Sequence, residues 1–308
     1  MIEVHVCADE ADELSSQEIY NAVWPHDALT IDDANSFKAS VRDWIDCLAI
    51  IDGAPVGSGF AALTPHRPEV VLALVTVLHE HRRHGAGSAL YRALSEWTAG
   101  HGLGKLESPV EEDDAESIAF AERRGFAEVE RSLRMLLDLG SIEPPEIDPP
   151  PGIEIVTWAE RPELARGIYD VAVETYPDIP GQADDELESF DDWLEHDMRG
   201  SGDLPEATFV AVAGDEVVGY SKFSLTAAQP KVAHHDLTGV KRTWRRRGIA
   251  GSLKRAQIAW AKKAGYEQLA TSNETRNTPI QRVNERLGYR PAPGRILFRG
   301  PLVREDSS

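Results

Sequence analysis

The sequence predicts an α/β protein with a mixed sheet, repeated twice along the chain. Apolar strand-like runs alternate with segments of helical apolar spacing in both halves. Two motifs recur at one spacing: RRHGAG at 82–87 matches RRRGIA at 245–250, and AERRGF at 121–126 matches NERLGY at 284–289, each pair 163 positions apart. A constant offset across separate motifs indicates a duplicated domain.

A proline-rich segment, EPPEIDPPPG at 143–152, separates the halves, because proline cannot continue a helix or a central strand. The 308 residues suffice for two domains that each bury a core. We therefore predict an N-terminal domain at 1–142, a linker at 143–152 and a C-terminal domain at 153–308.

Each half opens with a predicted strand, IEVHV at 2–6 or IEIVTW at 153–158, followed by acidic helical segments. Two alternating strands come next, in DCLAIIDGAPVGSGFAAL and TFVAVAGDEVVGYSKFSL. The DG and GD pairs inside these segments favour tight turns, so each segment predicts a β-hairpin.

A strand ending at Val77 or Val240 then leads into a basic, glycine-containing loop and a helix, SALYRALSEWTAG or SLKRAQIAWAKKAG. A further strand, a helix ending at Gly125 or Gly288 and a closing strand complete each half. This order gives both parallel and antiparallel neighbours, hence a mixed sheet.

The formal net charge is −20, which disfavours nucleic acid and anionic membranes as partners and favours cationic ones. No apolar run is long enough to span a bilayer, and the start MIEVHVCADEAD lacks the basic and apolar regions of a secretion signal. We expect a cytoplasmic chain. Cys7 and Cys47 lie in apolar, strand-like contexts and are interpreted as small buried hydrophobes.

The stretch TWRRRGIAGSLKR at 243–255 is basic and contains no acid. A loop between a strand and a helix N-terminus points several backbone N–H groups at one place, and the helix dipole adds about 0.3–1 kcal/mol for a nearby anion. Glycine allows close approach, and arginines reach further phosphates. The loop therefore suits a pyrophosphate, whereas nucleic acid is disfavoured by the acidic remainder.

The combination of motifs resembles the GNAT superfamily of N-acetyltransferases. VLHEHRRHGAGSAL and VKRTWRRRGIAGSLK are both similar to its acyl-coenzyme A loop, in which a strand residue precedes Arg-x-x-Gly-x-Gly/Ala by five positions. TSNETRNTPIQRVNERLGY resembles its second motif, where an asparagine opens a helix that ends in Gly-Phe or Gly-Tyr. The resemblance implies two tandem GNAT acyl-CoA N-acyltransferase domains that use acetyl-CoA and no metal.

In that family the loop N–H groups hold the coenzyme A diphosphate, and the preceding strand pairs with the pantetheine arm. Carried onto this sequence, the resemblance implies coenzyme contacts in both halves. These are Val77, Arg82, Arg83, Gly85, Gly87 and Ser88 in the first half, and Thr238, Val240, Arg245, Arg246, Arg247, Gly248, Ile249, Ala250, Gly251, Ser252, Asn273 and Asn277 in the second.

Acetyl transfer needs a neutral amine, so a general base is useful. Some family members carry the base six positions ahead of the strand's last valine, which is His234 in the second half and Val71 in the first. Strand alternation would place His234, Asp236, Thr238 and Val240 on one face. We expect His234 to be the base, with Asp236 as an alternative base or as its orienting partner. We also expect the first half to be degenerate, because its strand lacks a titratable group and its second motif lacks an asparagine. The simpler alternative is that these residues form a polar strand face whose side chains only hydrogen-bond their neighbours. A metal site is disfavoured, because no further Cys or His residues lie at a useful spacing.

Many members place a tyrosine acid four residues before the terminal glycine, but Asn284 and Ala121 stand there. Tyr176 or water would then protonate the thiolate. The acceptor pocket is expected in YPDIPGQADDELESFDDWLEHD, with its eight acids between Asp184 and Asp197. Asp178 and Asn284 are the candidates for acceptor binding, although such a charge run also fits a solvated helix face.

The predicted activity is acetyl-CoA-dependent N-acetylation of a primary amine on a small cationic molecule or peptide. A non-catalytic acyl-CoA sensor or scaffold is the alternative, and the first half could serve only as a packing partner. The tandem form is also similar to mycothiol synthase. The second motif of that enzyme is expected to end in aromatic residues, whereas the motif here contains Asn273, Asn277 and Asn284. We expect a monomer whose two halves mimic a dimer.

Overall fold

The computed structural model describes residues 1–64, 67–178, 187–200 and 202–303. The chain forms two compact units. Unit 1 comprises Met1–Arg131 with Pro293–Ser308, and unit 2 comprises Ser132–Ala292. Within the described ranges, no helix is both long and apolar enough to cross a membrane.

In the described residues of its first half the chain forms six strands and four α-helices. In order these are β1 (Ile2–Val6), α1 (Glu10–Val23), α2 (Ile31–Ser40), β2 (Trp44–Ile51), β3 (Ala54–Ala62), β4 (Val71–Val77), α3 (Ala86–Gly100), β5 (Lys105–Glu111), α4 (Ala115–Glu122) and β6 (Ala127–Asp138).

The second half repeats this order. Its elements are β7 (Glu154–Thr157), α5 (Ala165–Thr175), α6 (Phe190–His196), β8 (Phe209–Ala213), β9 (Glu216–Ser224), β10 (Val232–Val240), α7 (Ile249–Ala264), β11 (Gln268–Glu274), α8 (Thr278–Arg286) and β12 (Arg290–Pro301). The predicted α/β class and tandem organisation are confirmed, and β4 with β5 and β10 with β11 are parallel pairs among antiparallel ones.

Each unit takes its last strand from the opposite end of the sequence. In unit 1 the strand order is β1-β2-β3-β4-β5-β12, and Arg295–Pro301 pairs antiparallel with β5. In unit 2 the order is β7-β8-β9-β10-β11-β6, and Ser132–Asp138 pairs antiparallel with β11. The compact units therefore differ from the sequence halves 1–142 and 153–308, because these two strand segments are exchanged.

Local signals explain why the elements begin where they do. Asp9 and Asp114 accept hydrogen bonds from first-turn N–H groups of α1 and α4, and Thr30 with Asp33 forms a capping box on α2. The predicted DG turn joins β2 to β3 with positive φ at Asp52 and Gly53, the conformation that a two-residue hairpin turn requires.

The parallel strands in the middle of each unit separate soon after they meet. In unit 1, β4 pairs with β5 only through Val71–Leu106 and Leu72–Glu107. In unit 2, β10 pairs with β11 over four residues and stops at His235–Thr271. Beyond these points the two strands are no longer paired, and in unit 1 a cavity lies between them.

A β-bulge distinguishes β10 from β4. His235 lies opposite Phe223 of β9 and Thr238 opposite Ser221, so two residues oppose Lys222, whereas the β3–β4 ladder has no shift. Val240 packs with the α7 side chains, on the same side as His235. The expectation that His234 and Asp236 share a face with Thr238 and Val240 is therefore wrong, because the extra residue inverts the alternation.

Candidate active site

The signature arginine of each loop closes the loop onto the strand before it. Arg82 Nε donates to the Val77 carbonyl at 3.4 Å, and Arg245 Nε donates to the Val240 carbonyl at 2.9 Å. Both arginines are also bound at the other end of the guanidinium. Arg82 lies 3.0 Å from Asp114, and Arg245 contacts Asp178. These residues thus shape the loop as well as adding charge.

The helices after the loops begin without side-chain caps. Gly85 and Gly248 take positive φ values of 97° and 91° and precede α3 and α7, and neither N-terminus receives a side-chain cap hydrogen bond. Arg83 and Arg246, two positions earlier, share the left-handed conformation with φ of 67° and 62°. Repeated geometry of this kind leaves first-turn N–H groups available for an anion.

Unit 1 contains a cavity of about 530 Å³ that begins at this loop and continues between β4 and β5. Its β4 and β5 walls are Ala73, Val75, Val77, Leu106, Ser108 and Val110, and its helix walls include Tyr91, Phe120, Ala121 and Phe126. All six coenzyme residues that the sequence predicts in the first half line it: Val77, Arg82, Arg83, Gly85, Gly87 and Ser88. An elongated molecule with an anionic end and an apolar arm matches this shape.

Charged side chains of both signs line the cavity. Arg124 donates to Ser88 Oγ at 2.7 Å and lies 3.5 Å over the Phe120 ring, which fixes a cation beside the start of α3. Glu111, Asp114 and Glu116 line the cavity as well. Arg124 was missed by sequence reasoning, although its position one residue before Gly125 in the second motif was visible.

Beside the cavity, an aromatic and acidic cluster packs around Arg295. Its guanidinium reaches Asp27 at 2.9 Å and Glu111 at 3.2 Å, and it lies 4.9 Å from the Trp24 ring. Tyr20 donates to Asp27 at 3.1 Å, and burial raises the pKa of this tyrosine. Trp24 and Glu111 line the cavity, so this cluster borders it.

Glu107 is a buried carboxylate that sequence reasoning also missed. It is 3% exposed and lies opposite Leu72, at the last β4–β5 pair before the strands part. One oxygen accepts from Arg67 at 2.8 Å and the other from Arg299 at 2.7 Å. Both oxygens are therefore already neutralised by arginines.

In unit 2, larger polar side chains stand where unit 1 has the cavity. His235 corresponds to Ala73 through the strand pairing, and the 163-residue offset relates Lys254 to Tyr91, Asn284 to Ala121 and Tyr289 to Phe126. All four side chains are at least nine-tenths buried. They form a polar cluster at the point where β10 and β11 separate.

His234 lies on the opposite side of β10, partly exposed, with Nε2 3.1 Å from Gln229 Oε1. Asp236 is bound by Lys222, whose buried ammonium lies 3.0 Å from Asp236 and 2.8 Å from Asp203. Lys222 also contacts Asp197, where burial raises the pKa to about 6. Asp236 is thus engaged in an ion-pair cluster.

Asp178 is bound by the loop itself, at 2.8 Å from Arg242 and in contact with Arg245. The hydrogen bond from Arg242 lowers the pKa of this carboxyl. Tyr176 is in the same short turn after α5. Of the acidic run predicted to bind the acceptor, Asp184, Asp185 and Glu186 lie outside the described residues.

The remaining predicted coenzyme residues of unit 2 have mixed surroundings. Ser252 donates to the Asp148 carbonyl at 3.0 Å, and Arg247 lies 4.6 Å from the Trp244 ring. Asn273 accepts from Asn284 at 3.0 Å. Ile249 is buried, Ala250 and Gly251 are in the first turn of α7, and Asn277 precedes α8. In the described part of the chain, no group of three or more His, Cys, Asp or Glu residues is arranged to hold a metal ion.

Both units define a duplicated α/β fold with a glycine-containing loop before an uncapped helix and two parallel strands whose pairing ends early. The family model described as "Acetyltransferase (GNAT) family" matches residues 11–126 and 165–289, so the chain belongs to this family of acetyltransferases. No match was found among curated protein sequences.

Solved structures share the fold over nearly the whole chain. A GCN5-related N-acetyltransferase from Sphaerobacter thermophilus superposes with a TM-score of 0.75 at 19% identity, covering 100% of this chain and 98% of the other. A tandem GNAT protein from the clavulanic acid biosynthesis pathway, solved without AcCoA, gives 0.75 at 22% identity, covering 99% and 100%. A GNAT acetyltransferase from Colwellia psychrerythraea gives 0.65 at 13% identity, covering 97% and 99%.

Proposed function

We propose that the protein is an acetyl-CoA-dependent N-acetyltransferase that acts on a primary amine, and that unit 1 holds the coenzyme. The cavity of about 530 Å³ between β4 and β5 carries this proposal, because it connects the uncapped start of α3 with an apolar interior. Membership of the family supports the reaction class.

In this proposal the diphosphate binds the first-turn N–H groups of α3, with Arg83 and Arg124 close enough to add charge-assisted bonds. The pantetheine arm follows the unpaired edge of β4, where backbone groups beyond Leu72 lack a β5 partner. The thioester then lies among Ala73, Leu106 and Ser108. Ala73 and Leu106 are buried, so this part of the cavity is apolar.

The acceptor amine attacks the thioester carbonyl carbon, the C–N bond forms, and coenzyme A leaves as the thiolate. The amine must first lose its proton, and the thiolate must gain one. An ammonium acceptor is favoured by the net charge of −20, which attracts cations to the protein. A small cationic molecule or a peptide amino terminus fits this charge.

Turnover in unit 2, with His234 as base, is the second candidate. Its support is that His234 is partly exposed and lies next to the last pair of the β10–β11 ladder, His235–Thr271. Asp178, Tyr176 and Asn284 stay candidates for the acceptor and proton-transfer roles there. Asp236 is a weaker candidate for the base, since Lys222 already binds its carboxylate.

A matched pair of variants decides which unit binds the coenzyme. Ser88 and Gly251 hold equivalent positions in the first turns of α3 and α7, so Ser88→Glu and Gly251→Glu each place a carboxylate where a diphosphate would bind. We expect Ser88→Glu to remove acetyl-CoA binding measured by calorimetry, and to remove acetyl transfer to a panel of cationic amines. Unchanged binding in both variants would contradict the coenzyme assignment. Binding without transfer to any amine would favour the sensor or scaffold.

A further inference from the structure

Two charged side chains of unit 2 each have a buried atom without a hydrogen-bond partner. Glu274 ends β11, and its side chain is 5% exposed. Arg276 Nε donates to one of its oxygens at 2.6 Å, while the other, Oε2, has no partner. On β6, the side chain of Arg134 forms no hydrogen bond or ion pair with any described residue, and its Nε is buried. Both unsatisfied groups are costly to bury.

The two side chains lie on one face of the unit 2 sheet. Arg134 is directly opposite Ser272, and Glu274 is two positions further along β11. The intervening residues Met135 and Asn273 both contact the same side chain of α8. Strand alternation therefore directs Arg134, Ser272 and Glu274 to the face away from α8.

Arg134 and Glu274 do not satisfy each other. No ion pair joins them in the described part of the chain, and their diagonal positions on an antiparallel pair are about 7–8 Å apart. Ser272 stands beside both residues and is exposed, so small molecules can reach this part of the face. A molecule that carries a carboxylate and an ammonium side by side would satisfy both groups.

Unit 1 does not repeat this arrangement. At the 163-residue offset, Leu297 and Pro109 form the equivalent opposed pair, and neither side chain can donate a hydrogen bond. The carboxylate does recur, because Glu111 is equivalent to Glu274 and accepts from Arg295 at 3.2 Å. The unsatisfied cationic donor is therefore a feature of unit 2.

We propose that Arg134 and Glu274, with Ser272 beside them, bind an α-amino acid as the acceptor of unit 2. The guanidinium donates to the carboxylate of the amino acid, and the α-ammonium donates to Glu274 Oε2. His234 lies on the same face, since it pairs with Ala270, two positions before Ser272. The α-ammonium gives a proton to His234, and the amine then bonds to the acetyl carbon as coenzyme A leaves as the thiolate. This inference rests on the proposed N-acetyl transfer and narrows the acceptor class.

Calorimetric titration of the full chain with L-lysine, L-leucine, L-phenylalanine and L-glutamate tests the site. We expect at least one of them to bind the wild type. Its carboxamide, which lacks the carboxylate, and its N-α-acetyl derivative, which lacks the ammonium, should each bind about tenfold more weakly or worse, the loss expected for a charge-assisted hydrogen bond. Binding of none of the four would overturn the proposal. Acetyl transfer to other amines would then still support the proposed function.

Two variants separate the roles of the charged groups. Arg134→Leu introduces the residue that unit 1 has at this position, and it should remove the preference for the amino acid over its carboxamide. Glu274→Gln keeps the side-chain shape, and it should remove the preference for the amino acid over its N-α-acetyl derivative. Arg282→Leu, which removes an exposed arginine from α8, is the matched control and should keep both preferences.

Stability and coenzyme binding complete the test. A lower Tm in both variants, with unchanged amino-acid affinity, would show that the two side chains only stabilise the fold and would overturn the proposal. Acetyl-CoA affinity should stay within about twofold of the wild type in both variants. Loss of acetyl-CoA binding in Glu274→Gln would place this residue in a coenzyme site and would also overturn the acceptor assignment.

Discussion

Leu72 of unit 1 and His234 of unit 2 occupy the same position in their strands. Leu72 pairs with Glu107 and His234 pairs with Ala270, and these partners are themselves equivalent positions of β5 and β11. The titratable group at the end of the ladder therefore sits on β5 in unit 1 and on β10 in unit 2. Sequence alignment alone pairs His234 with Val71, because it does not include the bulge.

Substitution of His234 tests catalysis in unit 2. If the ring accepts the proton of the amine there, His234→Ala should lower kcat at neutral pH by about 10²-fold or more, with little change in the KM for acetyl-CoA. His5→Ala, on an exposed strand position of unit 1, is the control. Normal turnover in His234→Ala would locate the chemistry elsewhere.

Filling the cavity of unit 1 tests the coenzyme site. Ala121 is buried in its wall, and Ala121→Phe adds a ring there. We expect acetyl-CoA binding to weaken by at least about tenfold, because the apolar end of the arm loses its space. Ala115→Phe, on the exposed first position of α4, should bind normally. If both variants bind equally well, the cavity is not the site.

The ion-pair cluster around the buried Lys222 predicts a pH-dependent effect on stability. Burial raises the pKa of Asp197 to about 6, above the value near 3.8 of the free group, so ionisation of this carboxyl destabilises the fold as pH rises through that interval. Asp197→Asn should raise the free energy of unfolding at pH 7–8 by less than about 1 kcal/mol, seen as a slightly higher Tm, because the side chain is 41% exposed. The gain should vanish near pH 4. A gain of equal size at both pH values, or in Asp191→Asn, would contradict this.

The exchanged strands predict where the chain can be divided. A fragment of residues 153–308 lacks Ser132–Asp138, the partner of β11, and retains Arg295–Pro301 without β5. It should aggregate, dimerise or unfold at lower temperature than the full chain, because unpaired strand edges recruit other chains. Residues 132–292 form the whole of unit 2 and should give a folded monomer. Size-exclusion chromatography and thermal melts of the two fragments check this; a monomeric 153–308 fragment as stable as the full chain would refute it.

The sequence was informative where chemistry depends on local backbone geometry. Gly85, Gly248 and the arginines before them appear as a motif because one short loop contains them all. Asp178 could not be placed in this way, since its partners Arg242 and Arg245 lie more than sixty positions away. The bulge at Asp236 has no glycine or proline to mark it, and it follows from how β10 must meet both β9 and β11.

The placement of Arg295–Pro301 in unit 1 also affects biosynthesis. A ribosome releases the N-terminal residues first, and an ordinary tandem protein folds its leading domain while the rest is still being made. Here the sixth strand of that leading domain is translated only after all of Ser132–Ala292. Unit 1 therefore lacks this strand while all of unit 2 is synthesised, and the unpaired edge of β5 is exposed to other nascent chains during that time.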